Sequence, residues 1–265
     1  DFSQQAADRV VDEIRTAGGH AIGNYADVSD GEAVVATALA QFGTVHVIVN
    51  NAGVLRDKSF ARMTREQWDI VYTTHLLGAM AVCKAAWKTM CEQKYGRIVN
   101  ITSVNGLYGQ VGQVNYSAAK LGVVGMTKSL AKEGAKHGVL VNVVAPGAGT
   151  AMTATVMPKD LVDLWKPDYV APLVTFLCSE GAPCSGCIFE SGGGWAAEVK
   201  FKRTAGVYFD IGDPRQPGCP FGPEDIAAKF AQIQDFSSAD TFPDDIKATG
   251  SPTDDPQLKQ ILSKM

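Results

Sequence analysis

Three side chains that could move a proton occur in a fixed order between residues 101 and 125. Ser103 is followed by twelve residues and then by Tyr116, and Lys120 comes four residues after the tyrosine. Residues four apart on a helix share a face, so we expect Tyr116 and Lys120 to lie side by side. Ser103 follows the apolar run 98–101, which is typical of a buried strand. Ligands in open α/β sheets bind beyond the carboxyl ends of the strands, and we expect the three side chains to converge there.

A hydroxyl, a phenol and an ammonium in this arrangement could oxidise an alcohol. A phenol has a pKa of about 10 and is a poor base at neutral pH, but a neighbouring ammonium favours the phenolate and lowers that pKa. Tyr116 would then remove the proton of an alcohol while hydride leaves its carbon, and Ser103 would hold the substrate oxygen. The same spacing also fits an ordinary helix, so other motifs have to decide between the two interpretations.

The composition indicates one α/β domain, or one domain with an appendage, for the 265 residues. A hydrophobic content of 46% is ample for a core, and a net charge of −4 argues against nucleic acid as the main partner. No run of eighteen apolar residues predicts a membrane span. Six unevenly spaced cysteines do not indicate a disulfide framework, and the pair Cys184 and Cys187 has no nearby histidine, so we expect no metal site.

The hydrophobic periodicity predicts helices that alternate with strands as far as residue 195. Predicted helices cover 3–17, 31–42, 64–91, 168–178 and a segment that bears Tyr116 and runs to about residue 136; predicted strands cover 20–25, 45–49, 97–103, 139–144 and 188–190. The expected helix caps are Ser3, Asp30, Thr64 with Gln67, and Asp168. This alternation predicts a doubly wound parallel sheet with right-handed crossovers.

The remaining residues, 196–265, differ in composition. Pro, Asp, Gly and Ser concentrate at 210–223 and 243–256, around a predicted helix at 223–234 and a short closing helix near Pro256. We therefore predict a domain at 1–195 and an extension or linker at 196–265.

Further motifs surround the three reactive side chains. They are Asp27-Val28, Asn50-Asn51-Ala52-Gly53 and Pro146-Gly147. Together with Ser103, Tyr116 and Lys120, this combination resembles the short-chain dehydrogenase/reductase family over about residues 1–195. The resemblance implies a Rossmann-like fold and an oxidoreductase that uses a nicotinamide cofactor.

The resemblance also implies a role for each position. Tyr116 would be the general acid and base, Lys120 would hold the nicotinamide ribose and lower the tyrosine pKa, and Ser103 would orient the substrate oxygen. The implied cofactor contacts are Asp27 and Val28 at the adenine, Asn51, Ala52 and Gly53 at the ribose, and Pro146 and Gly147 at the nicotinamide. Plainer interpretations stay open, since Asp27 could cap a turn, and 50–53 and 146–147 could be turns only.

One position departs from the family pattern. His75, in Thr74-His75-Leu76-Leu77-Gly78, stands where the family usually has a catalytic asparagine. The family role there is largely that of a main-chain carbonyl, so His75 could be a helix-bend residue without proton chemistry. Alternatively it could take part in catalysis, because histidine titrates near neutral pH.

A narrower resemblance includes this histidine. GVLRDKSFARMT, YTTHLLGAM and GQVNYSAAK are similar to the dehydrogenase unit of the type 2 peroxisomal multifunctional enzymes. That resemblance implies peroxisomal oxidation of (3R)-3-hydroxyacyl-CoA to 3-ketoacyl-CoA with NAD, in fatty-acid β-oxidation. It also implies a homodimer built on the long helices and further domains downstream, commonly a hydratase. Two rivals stay open: a hydroxysteroid dehydrogenase of the same family, and a non-catalytic dimerisation or scaffold subunit.

The two ends of the sequence raise expectations of their own. The family begins with a strand and a glycine-rich turn that cradles the pyrophosphate, and we expect that unit to precede Asp1. Asp1 itself could be the acidic residue that selects NAD over NADP. The ending Ser263-Lys264-Met265 is similar to a peroxisomal address, although we favour a domain boundary there.

Overall fold

The computed structural model describes residues 4–150, 159–210, 212, 218–237 and 240–241. They fall into two compact units, one within Asp1–Val199 and one within Lys200–Met265. Several expectations lie outside the described residues: the roles of Asp1 and Ser3, the short helix near Pro256, and the ending 263–265. The division into domains at residue 195 stays a prediction.

Five strands form one sheet in the first unit, in the order β1-β2-β3-β4-β5. The strands are β1 Val47–Asn50, β2 Gly96–Ile101, β3 Val139–Gly147, β4 Ile188–Gly192 and β5 Trp195–Val199. The first four are parallel, which confirms the predicted Rossmann-like, doubly wound α/β fold. β5 is antiparallel to β4 and was not predicted. It forms because Gly193 and Gly194 adopt φ values of 56° and 81°, which suit a two-residue hairpin turn.

The centre of the sheet is fully covered, which explains the apolar runs in the sequence. Every residue of β2 is buried, and so are most of β3. This is expected of parallel strands that carry helices on both faces. β1 pairs with β2 on one side only within the described residues, and its Val47 and Val49 are exposed.

Eight α-helices flank the sheet within the described part of the first unit. They are α1 Gln4–Thr16, α2 Gly31–Phe42, α3 Arg65–Tyr72, α4 Gly78–Glu92, α5 Val104–Tyr108, α6 Val114–Gly134, α7 Lys159–Leu164 and α8 Ala171–Leu177. Short 3₁₀ helices cover Phe60–Arg62, Ala135–His137 and Pro167–Tyr169. The strands, α2, α4 and α6 supply most of the largest buried cluster, in which Val35, Met90 and Val141 take part.

The predicted caps of α2 and α3 are confirmed. Asp30 Oδ1 accepts a hydrogen bond from the Ala33 amide at 3.0 Å, and Gly43 ends α2 in the left-handed conformation at φ 79°. Thr64 and Gln67 form the expected capping box at the start of α3. Between α3 and α4, residues Thr73–Leu77 form a π-helical segment, which bends the long predicted helix at His75.

Two local predictions are wrong. Residues 20–25 form no strand, because a strand needs a hydrogen-bonded neighbour and no described strand lies beside them; the carbonyl of Ala21 instead accepts from the Arg15 guanidinium at 2.9 Å. Asp168 does not cap α8 either. It lies inside the 3₁₀ helix Pro167–Tyr169, and Val170 holds the cap position of α8 without a side-chain hydrogen bond.

The second unit contains α9, Pro223–Ile233, as the sequence predicted, and a short pair of strands, β6 Lys202–Arg203 and β7 Asp240–Thr241. Phe209 stacks on Phe221 with ring centroids 4.9 Å apart, and the ammonium of Lys229 lies 4.8 Å from the Phe209 centroid. These ring contacts give the unit a small aromatic cluster of its own. Across both units, none of the described helices has the length and apolar character that a membrane crossing requires.

Candidate active site

The carboxyl ends of β1, β2 and β3 meet at one edge of the sheet, because the three strands are parallel and adjacent. Asn51, Ala52 and Gly53 follow β1, and Ser103 comes two residues after β2. Pro146 and Gly147 end β3 and pair with β4. The structure therefore brings these sequence-predicted residues to the same edge.

Lys120 is the most constrained of the three reactive side chains. Its ammonium donates to the carbonyl of Ile101, the last residue of β2, at 2.7 Å, and its own carbonyl accepts from Thr102 Oγ1 at 2.7 Å. Helix α5 crosses α6 at this point. The crossing depends on Gly106, since a Cβ atom there would lie 2.6 Å from Cβ of Lys120. These contacts fix the lysine against the end of β2.

Ser103 links β2 to α5 and stands beside Tyr116. The serine is the N-cap of α5, where its hydroxyl accepts from the Asn105 amide at 3.2 Å. Its hydroxyl also faces the Tyr116 phenol closely enough to lower the pKa of that phenol. Because its backbone is extended and its hydroxyl is buried, the serine presents one oriented hydroxyl to the phenol. The cap explains why a serine at this position points into the site.

Burial raises the pKa of Tyr116 above its ordinary value. The Ser103 hydroxyl opposes this shift, and the carboxylate of Asp57 adds to it. The Lys120 ammonium lies 5.5 Å from the centroid of the phenol ring. The sequence predicts that Lys120 lowers this pKa, but the cost of desolvating the phenolate dominates the shift.

Burial also lowers the pKa of Lys120 to about 7, because a desolvated ammonium is disfavoured. The lysine is only 4% exposed, and its position at a strand end is the reason. Near neutral pH its ammonium and amine forms are both populated.

His75 is buried in the π-helical segment, at the turn that follows β1. Its Nε2 lies 2.8 Å from the Val54 carbonyl and 3.1 Å from the Val54 amide, and its Nδ1 is buried with no hydrogen-bond partner among the described residues. The ring also stands edge-on to Tyr116, with centroids 5.0 Å apart. Burial, and then the charge of Lys120, lower the pKa of His75 to about 4. The imidazole is therefore neutral near pH 7.

Gly53 makes room for that imidazole. A Cβ atom at residue 53 would overlap Cε1 of His75 and would lie 3.2 Å from its Nδ1. The motif Asn50-Asn51-Ala52-Gly53 thus does more than turn the chain, since its glycine is the only residue that allows the His75 ring to pack there.

The residues expected at the adenine lie on a neighbouring loop. Val28 shares with Ala52, His75 and Lys120 the lining of a small pocket of about 10 Å³, roughly the space that one water molecule needs. The Asp27 carboxylate accepts from the Ser29 amide at 2.8 Å and from the Ser29 hydroxyl at 2.6 Å, and these bonds lower its pKa. Its side chain therefore shapes a turn, and its expected contact with the adenine stays a prediction.

At the end of β3, Gly147 lies against Trp165. A Cβ atom at residue 147 would come within 2.9 Å of the Trp165 ring, and a Cβ atom at Gly192 of β4 would overlap the Gly147 carbonyl oxygen. Pro146 pairs with Ser191 and Gly147 with Gly192 across the sheet. The two residues are thus part of β3 and not a separate turn, which leaves their expected contact with a nicotinamide as a prediction.

A chain of buried amides beside Tyr116 was not recognised in the sequence. Asn105 Nδ2 donates to Gln113 Oε1 at 2.8 Å, and Gln113 Nε2 donates to Asp57 Oδ2 at 2.6 Å. Asn115 Nδ2 donates to the carbonyls of Arg56 and Gln67. The signal available in the sequence was two uncharged polar residues, one and three positions before Tyr116. Their chain ties α5, the loop after β1 and the start of α6 together.

The residues at this edge fit a dinucleotide. A lysine ammonium has three donors, and one goes to Ile101. The others suit the hydroxyls of a ribose, next to the exposed backbone of Asn51 and Ala52. Among the described residues, no cluster of three or more His, Cys, Asp or Glu side chains could hold a metal ion.

A doubly wound sheet with a serine, a tyrosine and a lysine at its carboxyl edge defines a dinucleotide-dependent oxidoreductase of the Rossmann type. The chain belongs to the short-chain dehydrogenase family, whose sequence profile matches residues 1–161. Dehydrogenases of this family generally depend on NAD or NADP.

The chain is 48% identical over 234 residues to the peroxisomal multifunctional enzyme type 2 of Mus musculus, which covers 88% of this chain and 31% of that protein. It is 44% identical over 236 residues to a short-chain type dehydrogenase/reductase of Mycobacterium tuberculosis, with 88% of this chain and 80% of that protein covered. The structure of the full-length peroxisomal multifunctional enzyme type 2 from Drosophila melanogaster matches with a TM-score of 0.81 and 36% identity, over 97% of this chain and 44% of that chain.

The chain thus spans about a third of the length of the mouse enzyme, and 27% of a similar Neurospora crassa protein, a peroxisomal hydratase-dehydrogenase-epimerase that is 44% identical over 249 residues. Those relatives are multifunctional proteins with additional domains.

Proposed function

We propose that this protein oxidises (3R)-3-hydroxyacyl-CoA to 3-ketoacyl-CoA with NAD, in peroxisomal fatty-acid β-oxidation. The observation that carries the proposal is the buried group of Ser103, Tyr116 and Lys120 at the carboxyl end of β2, in a chain whose similar relatives are named peroxisomal multifunctional enzymes. The names of these relatives support the peroxisomal location and the substrate class. The structure supports the alcohol chemistry.

The reaction needs a base on the alcohol and an acceptor for the hydride. Ser103 would donate a hydrogen bond to the substrate oxygen and orient it toward Tyr116, which would remove the alcohol proton as hydride leaves C3. Bound NAD supplies the hydride acceptor, and its positive nicotinamide favours the phenolate that burial otherwise disfavours. Lys120, whose ammonium lies 5.5 Å from the centroid of the Tyr116 ring, would hold the nicotinamide ribose and stabilise the phenolate.

His75 has a positioning role in this proposal. Its pKa of about 4 leaves it neutral, so it does not compete for the proton of the alcohol. Its ring packs edge-on against Tyr116, and its Nε2 anchors the Val54 backbone next to the ribose-binding turn. The histidine therefore holds the phenol and the turn at a constant distance.

The cofactor contacts follow the same edge. We place the adenine at Asp27 and Val28, the nicotinamide ribose at Asn51, Ala52, Gly53 and Lys120, and the nicotinamide at Pro146 and Gly147. Tyr116 also borders the ribose in this arrangement. NAD, in preference to NADP, is the cofactor that the type 2 resemblance implies.

A homodimer and a hydratase domain in the same protein complete the proposal. A groove between α4 and α6, of about 160 Å³, is lined by Met80, Trp87, Met126 and Leu130. Met80 is 44% exposed, although it is apolar. A second copy that packs its own α4 and α6 against this groove would bury that surface.

The test uses the two enantiomers of 3-hydroxyacyl-CoA, each with NAD and with NADP, and measures the absorbance of the reduced nicotinamide. We expect turnover of the (3R) substrate with NAD. Equal turnover of both enantiomers, or a preference for (3S), would refute the assignment to the type 2 enzymes. Turnover of a hydroxysteroid alone would favour that rival, and failure to bind NAD would favour the scaffold.

A further inference from the structure

The loop that follows β1 carries a local excess of positive charge. Residues 55–65 contain Arg56, Lys58, Arg62 and Arg65 against the single acid Asp57, in a chain whose net charge is −4. The loop also exposes Phe60, which is 75% accessible to solvent. A cationic, aromatic loop on an acidic protein suggests an anionic ligand with an aromatic ring.

This loop is tied to the start of α6, directly in front of Tyr116. The Lys58 amide donates to the Gly112 carbonyl at 2.8 Å, and the Arg56 carbonyl accepts from Asn115 Nδ2 at 3.2 Å. Between them, Asp57 accepts from Gln113. Three consecutive residues of the loop are therefore held within hydrogen-bond distance of the turn that leads into the reactive tyrosine.

Some charged side chains of the loop already bind another side chain, and the others are exposed without an ion pair among the described residues. Arg65 pairs with Asp69 at 2.7 Å, and the one carboxylate, Asp57, binds the buried Gln113 amide. Arg56, Lys58 and Arg62 are exposed, and the described residues offer none of them an ion pair; Arg56 donates only to the carbonyl of Leu55.

Positions 56, 58, 60 and 62 thus hold three cations and one aromatic ring, all exposed and close together in the sequence. Arginine and lysine bind phosphate, and an exposed aromatic ring can stack on a base. The surface defined by Arg56, Lys58, Phe60 and Arg62 is called the cationic rim below.

We propose that the cationic rim binds the 3′-phospho-ADP part of the coenzyme A thioester, with the phosphates on the cations and the adenine on Phe60. This inference rests on the proposed function for its substrate. The inference adds which residues recognise the coenzyme. With the coenzyme bound in this way, the thioester arm would run past Gly112 toward Tyr116. A substrate without phosphates would lack this part of the binding energy.

The first experiment is calorimetric and needs no turnover. Free coenzyme A and its 3′-dephospho form are titrated into the intact protein and into the double variant Lys58→Glu/Arg62→Glu. We expect the double variant to bind coenzyme A about tenfold more weakly, since each reversal replaces an exposed attraction with a repulsion. The difference should shrink at high salt. The matched control is the double variant Arg9→Glu/Lys132→Glu, which reverses two exposed cations on α1 and α6 and changes the net charge equally.

The second experiment compares the kcat/KM of the (3R)-3-hydroxyacyl-CoA with that of the N-acetylcysteamine thioester of the same acid. The wild-type preference for the coenzyme A thioester should fall about tenfold in the double variant, through KM and with the KM for NAD unchanged. Phe60→Ala should lower the same preference, whereas Phe60→Trp should retain it.

The outcomes separate the two proposals. Coenzyme A binding that the double variant weakens, in a protein that turns over no hydroxyacyl thioester, would support the rim and refute the proposed function. Turnover of (3R) substrate with an unchanged preference and unchanged affinity for coenzyme A would refute the rim alone. An equal loss in Arg9→Glu/Lys132→Glu would also refute the rim, because the effect would then be one of net charge.

Discussion

The imidazole of His75 occupies the space that a side chain at Gly53 would need. A Cβ atom at residue 53 would overlap Cε1 of the ring, whose other nitrogen, Nε2, is held at the Val54 backbone. Two motifs far apart in the sequence are thus one packing unit. The glycine of the turn after β1 and the histidine of the π-helical segment have to be present together.

Gly53→Ala should therefore damage the site by displacing the His75 ring. We expect a loss of about 1–3 kcal/mol in the free energy of unfolding, which is typical of overpacking, and a fall in kcat. Urea denaturation and steady-state kinetics measure both. Gly125→Ala on α6 is the matched control, since its Cβ would meet open space, and it should stabilise the helix by up to about 1 kcal/mol. If Gly53→Ala were as harmless as the control, the packing argument would be wrong.

Tyr116→Phe should remove the base and leave the fold intact. General acid–base catalysis contributes about 10²–10⁴-fold, so we expect kcat to fall by at least about 10²-fold with NAD binding retained. Tyr25→Phe, an exposed tyrosine that bonds to Asp8, should leave kcat unchanged. A Tyr116→Phe protein that kept half of the wild-type kcat would exclude the tyrosine as the base.

Lys120 should make the protein more stable as the pH rises above 7. Its pKa is about 7 in the folded state against 10.5 ordinarily, so between these values the unfolded chain binds more protons. The free energy of unfolding then rises with pH, by at most about 1.4 kcal/mol per pH unit from this group. Urea denaturation between pH 7 and about 8.5 should show this slope in the wild type. The range ends there because about 8.5 is the ordinary pKa of cysteine. The slope should disappear in Lys120→Met and persist in Lys132→Met, which alters an exposed lysine of the same helix.

Protonation of His75 should make the stability of the protein depend on pH a second time, at acidic pH. Its pKa is about 4 in the folded state against 6.5 ordinarily, so the unfolded chain binds more protons between these values. The stability conferred by the neutral imidazole is complete above pH 6.5 and is lost as the pH falls through 4. His75→Asn should lose less stability than the wild type over this window, by about 1–3 kcal/mol. Parallel curves for the two proteins would contradict the assignment of a buried, neutral histidine.

Met80→Glu should convert the proposed dimer into monomers. The substitution places a carboxylate in the groove between α4 and α6, and burial by a second copy would desolvate that charge, at a cost that Lys84 one turn away need not repay. Sedimentation velocity should show a lower mass for the variant, with an unchanged circular dichroism spectrum. Val10→Glu, a similarly exposed apolar residue on α1, is the control. A wild type that sediments as a monomer would refute the dimer itself.

Much of the fold follows from short-range patterns. Asp30, Gly43 and the pair Thr64 and Gln67 act at helix ends where their own neighbours in the sequence complete the hydrogen bonds. Ile98, Val99 and Ile101 predict the strand β2 because parallel strands are covered on both faces, even though the buried Arg97 and Asn100 interrupt the apolar pattern. Where the hydrogen-bonding partner is distant in the sequence, short-range patterns cannot predict the structure. Residues 20–25 have the composition of a strand, but their pairing depends on another strand beside them.

The residue types at the site were also readable in the linear chain, because the Ser103, Tyr116 and Lys120 spacing depends only on one strand end and one helical turn. Their acid–base properties were not. Whether Lys120 lowers the Tyr116 pKa, or burial raises it, depends on how much water the packed α5, α6 and β2 exclude. Likewise, the neutrality of His75 and the need for glycine at residue 53 arise from segments that meet only in the folded protein, since desolvation and steric overlap are properties of three-dimensional neighbours.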